Sequence, residues 1–152
     1  MWLVPHTLVG VTIASKIPNP LIAIPLAVLS HFLLDATPHW TTTISTRGRD
    51  FYIFLTDFGL GFVLGLIFAF RAEAFSPEFW LVISCAAAAN LPDAIRFPHY
   101  FYGYNSKLFW LTERFHRWVD QDVRHNTPFF GMMGFGILTQ VLVVAFCLWL
   151  LA

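Results

Sequence analysis

His31, Asp35 and His39 stand four residues apart in "SHFLLDATPHW", at the end of a long apolar run. On a helix of 3.6 residues per turn, His31 and Asp35 share a face and point the same way. Imidazole and carboxylate at that spacing make half of a metal site, or an ordinary hydrogen-bonded pair. Residues of the same chemistry recur along the chain as His6, Asp57, Asp93, His116 and Asp120. Asp57 is the most demanding of them. A carboxylate inside "FYIFLTDFGLGFVLGLIFAF" is costly unless it is protonated or paired with a cation. No Lys or Arg of an apolar helix lies at its depth, whereas His31 does. His31, Asp35, Asp57 and Asp93 thus hold more negative charge than nearby organic cations offset. A divalent metal resolves that imbalance.

Nitrogen and oxygen ligands without thiolates suit zinc, with manganese or iron as alternatives. The expected ligands are His6, His31, Asp35, Asp57, Asp93 and His116, with His39 and Asp120 as additional candidates. His39 follows Pro38, which ends the helix and leaves its direction open. More than four ligands implies more than one ion, within a range of one to three. Two ions bridged by a carboxylate suit phosphoester hydrolysis. Asp57 and Arg117 are the expected catalytic residues. Arg117, or Arg96, could hold the negative charge of a substrate, and either could equally anchor a lipid headgroup.

The elements that must position these residues are helical. Asn19-Pro20, Ser76-Pro77 and Thr127-Pro128 each place a capping side chain before a proline at the first helical position, and Asp50 can cap a fourth start. The expected helices cover about residues 3–16, 20–36, 51–71, 77–94 and 128–151. A further segment at about 105–121 reads as amphipathic, with Phe109, Trp110 and Leu111 among charged positions, and would lie at an interface. The helices at 51–71 and 128–151 are long enough for a hydrocarbon core of about 30 Å. The first two form a short hairpin. Gly59, Gly61, Gly65, Gly131, Gly134 and Gly136 would let helices approach closely. Gln140 reads as a hydrogen-bonding link between helices.

Composition agrees with this picture. Of 152 residues, 57% are apolar and 12% charged, too little charge to cover a soluble globule. The expected architecture is an all-α, polytopic membrane protein, a single domain over residues 1–152. It has five membrane-embedded helices and one amphipathic interfacial helix. The zero net charge argues against nucleic acid as a partner. Cys85 and Cys147 lie alone in apolar runs and read as small hydrophobes. The opening "MWLVPHTLVG" lacks a basic region and does not read as a cleaved signal peptide. In this topology Arg47, Arg49, Arg96, Lys107, Arg114, Arg117 and Arg124 fall on one side, and Lys16 and Arg71 on the other. The positive-inside rule makes the richer side cytoplasmic. His6, His31, Asp35, His39, Asp57, Asn90, Asp93, His116 and Asp120 converge on that side, while His99 and His125 read as interfacial.

"HTLVG", "SHFLLDATPH", an Asp early in the next helix, "LPD" at 91–93 and "FHR" at 115–117 resemble the bacterial membrane-bound metal-dependent hydrolases, a family related in pattern to zinc-dependent phospholipase C. The elements occur in the same order over most of the chain. In the phospholipase C relatives a His-x-x-x-Asp helix and a later His supply zinc ligands, which His31, Asp35 and His39 resemble, although that His lies further from the Asp there. His6 resembles the family's N-terminal ligand and Asp93 its "PD" element. The resemblance implies an all-helical hydrolase of phosphoester or lipid substrates in a bacterial or archaeal inner membrane. The competing reading is a non-catalytic subunit of a larger membrane complex, held to its partners through Gly-rich helices. A transporter is a weaker reading, because the helices are apolar beyond their site-bearing third apart from Gln140.

Overall fold

A computed structural model describes residues 1–41, 48–122 and 130–152. Among these, every regular element is helical: α1 (Leu3–Lys16), α2 (Pro20–Asp35), α3 (Gly48–Ala69), α4 (Pro77–Ala94), α5 (Phe97–Tyr102), α6 (Lys107–Val119) and α7 (Phe130–Leu151). Asn19 accepts from the Leu21 N–H and Ser76 from the Phe79 N–H, so both proline-led starts carry the expected caps. Ser106 caps α6 in the same way. Asp50 lies in the first turn of α3 rather than ahead of it. The short α5 was not expected; it ends where Gly103 takes φ 66°, a left-handed conformation suited to glycine. Arg47, Arg124, His125 and the Thr127-Pro128 start lie outside the described residues.

Two described helices, not five, are long and apolar enough to cross a membrane: α3 over Arg49–Ala69 and α7 over Gly134–Leu151. Length explains the first part of this correction. The 14 residues of α1 and 16 of α2 rise about 21 and 24 Å, short of a core of about 30 Å. Helix α4 has 18 residues, but Glu78, Asn90, Pro92 and Asp93 dilute its apolar character.

Helix α1 is the centre of the bundle. It packs against α2, α3, α4 and α7, and ten of its 14 residues are buried. It therefore serves as a core helix. Small residues make the contacts close: Ala14, Ala23, Ala27, Cys85, Ala88 and Ala89 form one buried cluster across α1, α2 and α4. A Cβ on Gly10 would collide with the Cys85 carbonyl, so α1 and α4 meet there only because residue 10 is glycine. A Cβ on Gly61 would stand 3.1 Å from the Thr7 hydroxyl, and one on Gly65 would be in ordinary contact with Thr7. One on Gly59 or Gly134 would meet nothing within 4 Å, so the expected close approach fails at those two. The outer faces of α3 and α7 are apolar instead, exposing Leu55, Phe62, Leu142 and Phe146 among others. Exposed hydrocarbon on this scale marks a surface that meets lipid or protein.

Three contacts gather the far ends of the helices. The Gln121 N–H donates to the Asp35 carbonyl at 2.9 Å, and His39 pairs with residues 121–122 as an isolated bridge. This ties the end of α2 to the chain leaving α6. Gln140 accepts from the Trp2 N–H and donates to the Trp40 carbonyl at 2.6 Å, linking three segments as its mid-helix position suggested. Gly136 lets the backbone at His39 and Trp40 lie directly on α7.

Candidate metal centre

Asp35 closes α2 and is 1% exposed. Its Oδ2 lies 3.2 Å from His31 Nε2 and 3.2 Å from His116 Nε2. Its Oδ1 lies 3.3 Å from His6 Nε2, 4.0 Å from His39 Nε2, and against the Met1 amino nitrogen. Asp93 Oδ1 stands 3.8 Å from His31 Nε2 and 3.9 Å from His116 Nε2. His39 Nε2 is 3.2 Å from Asp120 Oδ1 and 2.7 Å from the Met1 nitrogen. His6, His31, Asp35, His39, Asp93, His116 and Asp120 are thus brought together from α1, α2, α4, α6 and the segments following α2 and α6. Amphipathy accounts for the contribution of α6: Phe109, Glu113 and His116 share its buried face, while Trp110, Leu111 and Trp118 are exposed.

Two sets within this cluster could each hold an ion: His6, His31 and Asp35, and His31, Asp93 and His116. In each, the ligand atoms all lie within 4.8 Å of one another. Hydrogen bonding gives a test of the fit. His31 Nδ1 lies 2.8 Å from the Ala89 carbonyl, which can only accept, so the ring proton is on Nδ1. That leaves a lone pair on Nε2, the arrangement usual for a metal-binding imidazole. Nε2 then faces the lone pairs of Asp35 Oδ2. Both atoms are buried and neither has a hydrogen-bond partner, nor does either ring nitrogen of His6. Two acceptors at 3.2 Å repel unless a cation lies between them. A proton on Nε2 would supply the charge as well, and against burial Asp35 and Asp93 favour it. Two ligands at about 2.0–2.1 Å from a tetrahedral zinc stand about 3.3 Å apart, matching the Asp35 separations to His6, His31 and His116. The cluster could hold a metal ion.

The surroundings act differently on the individual donors. Burial would lower the His31 imidazole, but Asp35 and Asp93 outweigh it and hold His31 above its ordinary pKa. Burial pulls the His116 imidazole below its ordinary pKa, and Arg96 adds to this against the opposing pull of Asp93 and Asp35. Burial alone would raise the Asp120 carboxyl, but its contact with His39 outweighs that and holds it low. Neutral imidazole and ionised carboxylate are the ligating states. Behind Asp93, Arg96 donates to Asp93 at 3.1 Å, to Glu113 at 2.7 Å and to the Tyr100 hydroxyl at 2.9 Å. Burial works against its charge, and Asp93, Tyr100 and Glu113 more than restore it. Arg96 is a buried support for Asp93 and Glu113.

Two expected catalytic residues stand elsewhere. Both Asp57 oxygens accept backbone N–H groups at the start of α1, from Leu3 at 2.6 Å and Val4 at 3.2 Å. The charge that seemed to need a metal instead caps a helix whose own N-cap residue, Trp2, offers no side-chain bond. Arg117 is 64% exposed, on the outer face of α6, with Nε 3.4 Å from Glu113. His99 stacks on Phe109 with ring centroids 3.9 Å apart, away from the cluster. Sequence reasoning missed the Met1 nitrogen and the Ala89 carbonyl, backbone groups that no side-chain pattern signals. Cys85 and Cys147 are free and buried, as small hydrophobes are. No protein-family model matches the chain, and neither a curated protein nor a solved structure matches it.

Proposed function

We infer that the chain is a membrane-embedded, metal-dependent hydrolase of a phosphoester, in a lipid or a membrane-proximal compound. One observation carries this reading: a buried carboxylate, paired on Oδ1 with the Met1 nitrogen, is faced on both oxygens by imidazole nitrogens at 3.2–3.3 Å. His6, His31, Asp35, Asp93 and His116 would hold the ion or ions, zinc first among candidates and manganese or iron next. Asp35, with donors on each oxygen, is the residue suited to bridge two. When bound, such an ion lowers the pKa of water to about 7 and polarises a phosphoryl oxygen. The protein's own part is orientation. Ala89 fixes the His31 ring, and Arg96 fixes Asp93. Asp120 and His39 extend the polar lining and could accept a proton.

The resemblance to the membrane-bound metal-dependent hydrolases supports the same reading, as do the two apolar helices. The basic residues on the cluster side favour placement in a bacterial or archaeal inner membrane with the site toward the cytoplasm. A second reading, a non-catalytic subunit of a larger complex, is favoured by Gly59 and Gly134, where an added Cβ would meet nothing within 4 Å. The test is hydrolysis of bis(4-nitrophenyl) phosphate by purified, zinc-loaded protein. The hydrolase reading expects turnover that Asp35→Asn abolishes. Protein with stoichiometric metal and no turnover of this diester or of a phospholipid would support the subunit reading instead.

A further inference from the structure

An apolar groove of about 800 Å³ runs between α3 and α7, with the start of α1 as its floor. Ile53 and Leu60 form one wall, Ile137, Val141 and Val144 the other, and Val4 the base. Its walls belong to the two helices long and apolar enough to cross a bilayer, so it would open sideways onto acyl chains. Most buried polar groups along it are satisfied, the Trp2 indole N–H excepted. Asp57 holds the Leu3 and Val4 N–H groups, and Gln140 holds Trp2 and Trp40.

Its mouth differs. Arg49 borders the groove at the start of α3, 89% exposed, with Nε 3.9 Å from the partly exposed Asp50. From Arg49 to Leu60 the helix rises about 16 Å, close to half of a hydrocarbon core of about 30 Å. The groove therefore has the depth of one leaflet, hydrocarbon within and a cation at headgroup level. Trp2 lines it, while the neighbouring Met1 nitrogen lies against Asp35, so the groove and the metal cluster share the start of the chain. We propose that this groove binds one acyl chain of a phosphate-bearing membrane lipid, with the phosphate on Arg49. The proposal rests on the hydrolase reading, whose substrate class it names: a phospholipid delivered laterally from the leaflet on the Arg49 side.

The test uses the full chain in phosphatidylcholine vesicles containing a trace of phosphatidic acid with a photoactivatable group in one acyl chain. A diacylglycerol carrying the same group is the control without phosphate. The expected result is crosslinking to the partly buried Ile53, Ile137 and Val144 several-fold above the exposed Leu55 and Leu142, and stronger for phosphatidic acid than for diacylglycerol. Leu60→Trp should remove the groove labelling. Arg49→Gln, at an exposed position, should reduce phosphatidic acid labelling to the diacylglycerol level. Equal labelling of groove and outer faces, or no preference for the phosphate, would overturn the proposal. Labelling needs neither metal nor turnover, which separates the two claims. Groove labelling without hydrolysis leaves lipid binding standing and removes the hydrolase. Hydrolysis without groove labelling does the reverse.

Discussion

His31 donates from Nδ1 to the Ala89 carbonyl at 2.8 Å, and this bond decides what its other nitrogen offers Asp35, 3.2 Å away. Had Nδ1 been free, the pair could have been an ordinary N–H to carboxylate bond within one helix. With Nδ1 engaged by α4, Nε2 is left to face the carboxylate, and in the neutral ring it does so with a lone pair. The contact between α2 and α4 thereby prepares the cluster for a cation.

Helix α4 also meets α1 closely, at Gly10. Gly10→Ala would push against the Cys85 carbonyl, and overpacking of this kind costs about 1–3 kcal/mol. Gly59→Ala meets open space, and replacing a helix glycine there should be neutral or gain up to about 1 kcal/mol. Unfolding of the two variants in detergent checks the contrast. Equal stability would show that α1 and α4 are not packed as described.

Asp57 separates capping from ligation. Asp57→Ala leaves the Leu3 and Val4 N–H groups without acceptors and should destabilise the fold by about 1–3 kcal/mol. Asp57→Asn keeps one acceptor oxygen and should cost less. Metal content, measured on the Asn variant, should stay at the wild-type level while Asp35→Asn loses it. Parallel loss in both variants would return Asp57 to the ligand set.

The two arginines near α6 should behave oppositely. Arg96 is 12% exposed between Asp93 and Glu113, and Arg96→Gln leaves those carboxylates uncompensated, a loss of about 3–5 kcal/mol. Arg117 is exposed, and Arg117→Gln should stay within about 0.5 kcal/mol and retain any activity. A strong activity defect in Arg117→Gln with unchanged stability would restore its expected role on the substrate.

Local chemistry made much of the cluster legible in the sequence. The i, i+4 spacing of His31 and Asp35, the capped starts at Asn19 and Ser76, and the direction of each helix were enough to carry His6, Asp93, His116 and Asp120 to one end. What depended on tertiary partners was not legible. Asp57 looked unpaired because its partners are backbone N–H groups of a distant helix. The apolar α1 looked embedded in lipid because a core helix and a short membrane helix share the same composition. Its burial follows from being surrounded, which periodicity alone cannot express. Gly10 went unnoticed as one glycine in an apolar run, since only the position of Cys85 on another helix makes it necessary.

The most direct test of the central claim is the thermal unfolding of wild type and His31→Ala in detergent, each with and without a chelator. If Asp35 and its histidines hold an ion in the folded state only, binding contributes RT ln(1 + [L]/Kd), about 2.7 kcal/mol at a hundredfold excess over Kd. Chelator should then lower the wild-type Tm, while His31→Ala should unfold near the chelated wild type, contain less metal, and scarcely respond. An ordinary hydrogen-bonded cluster gives a different result. His31→Ala would lose about 1–3 kcal/mol through its abandoned partners, and chelator would move neither protein. That outcome would contradict the metal centre and the function built on it.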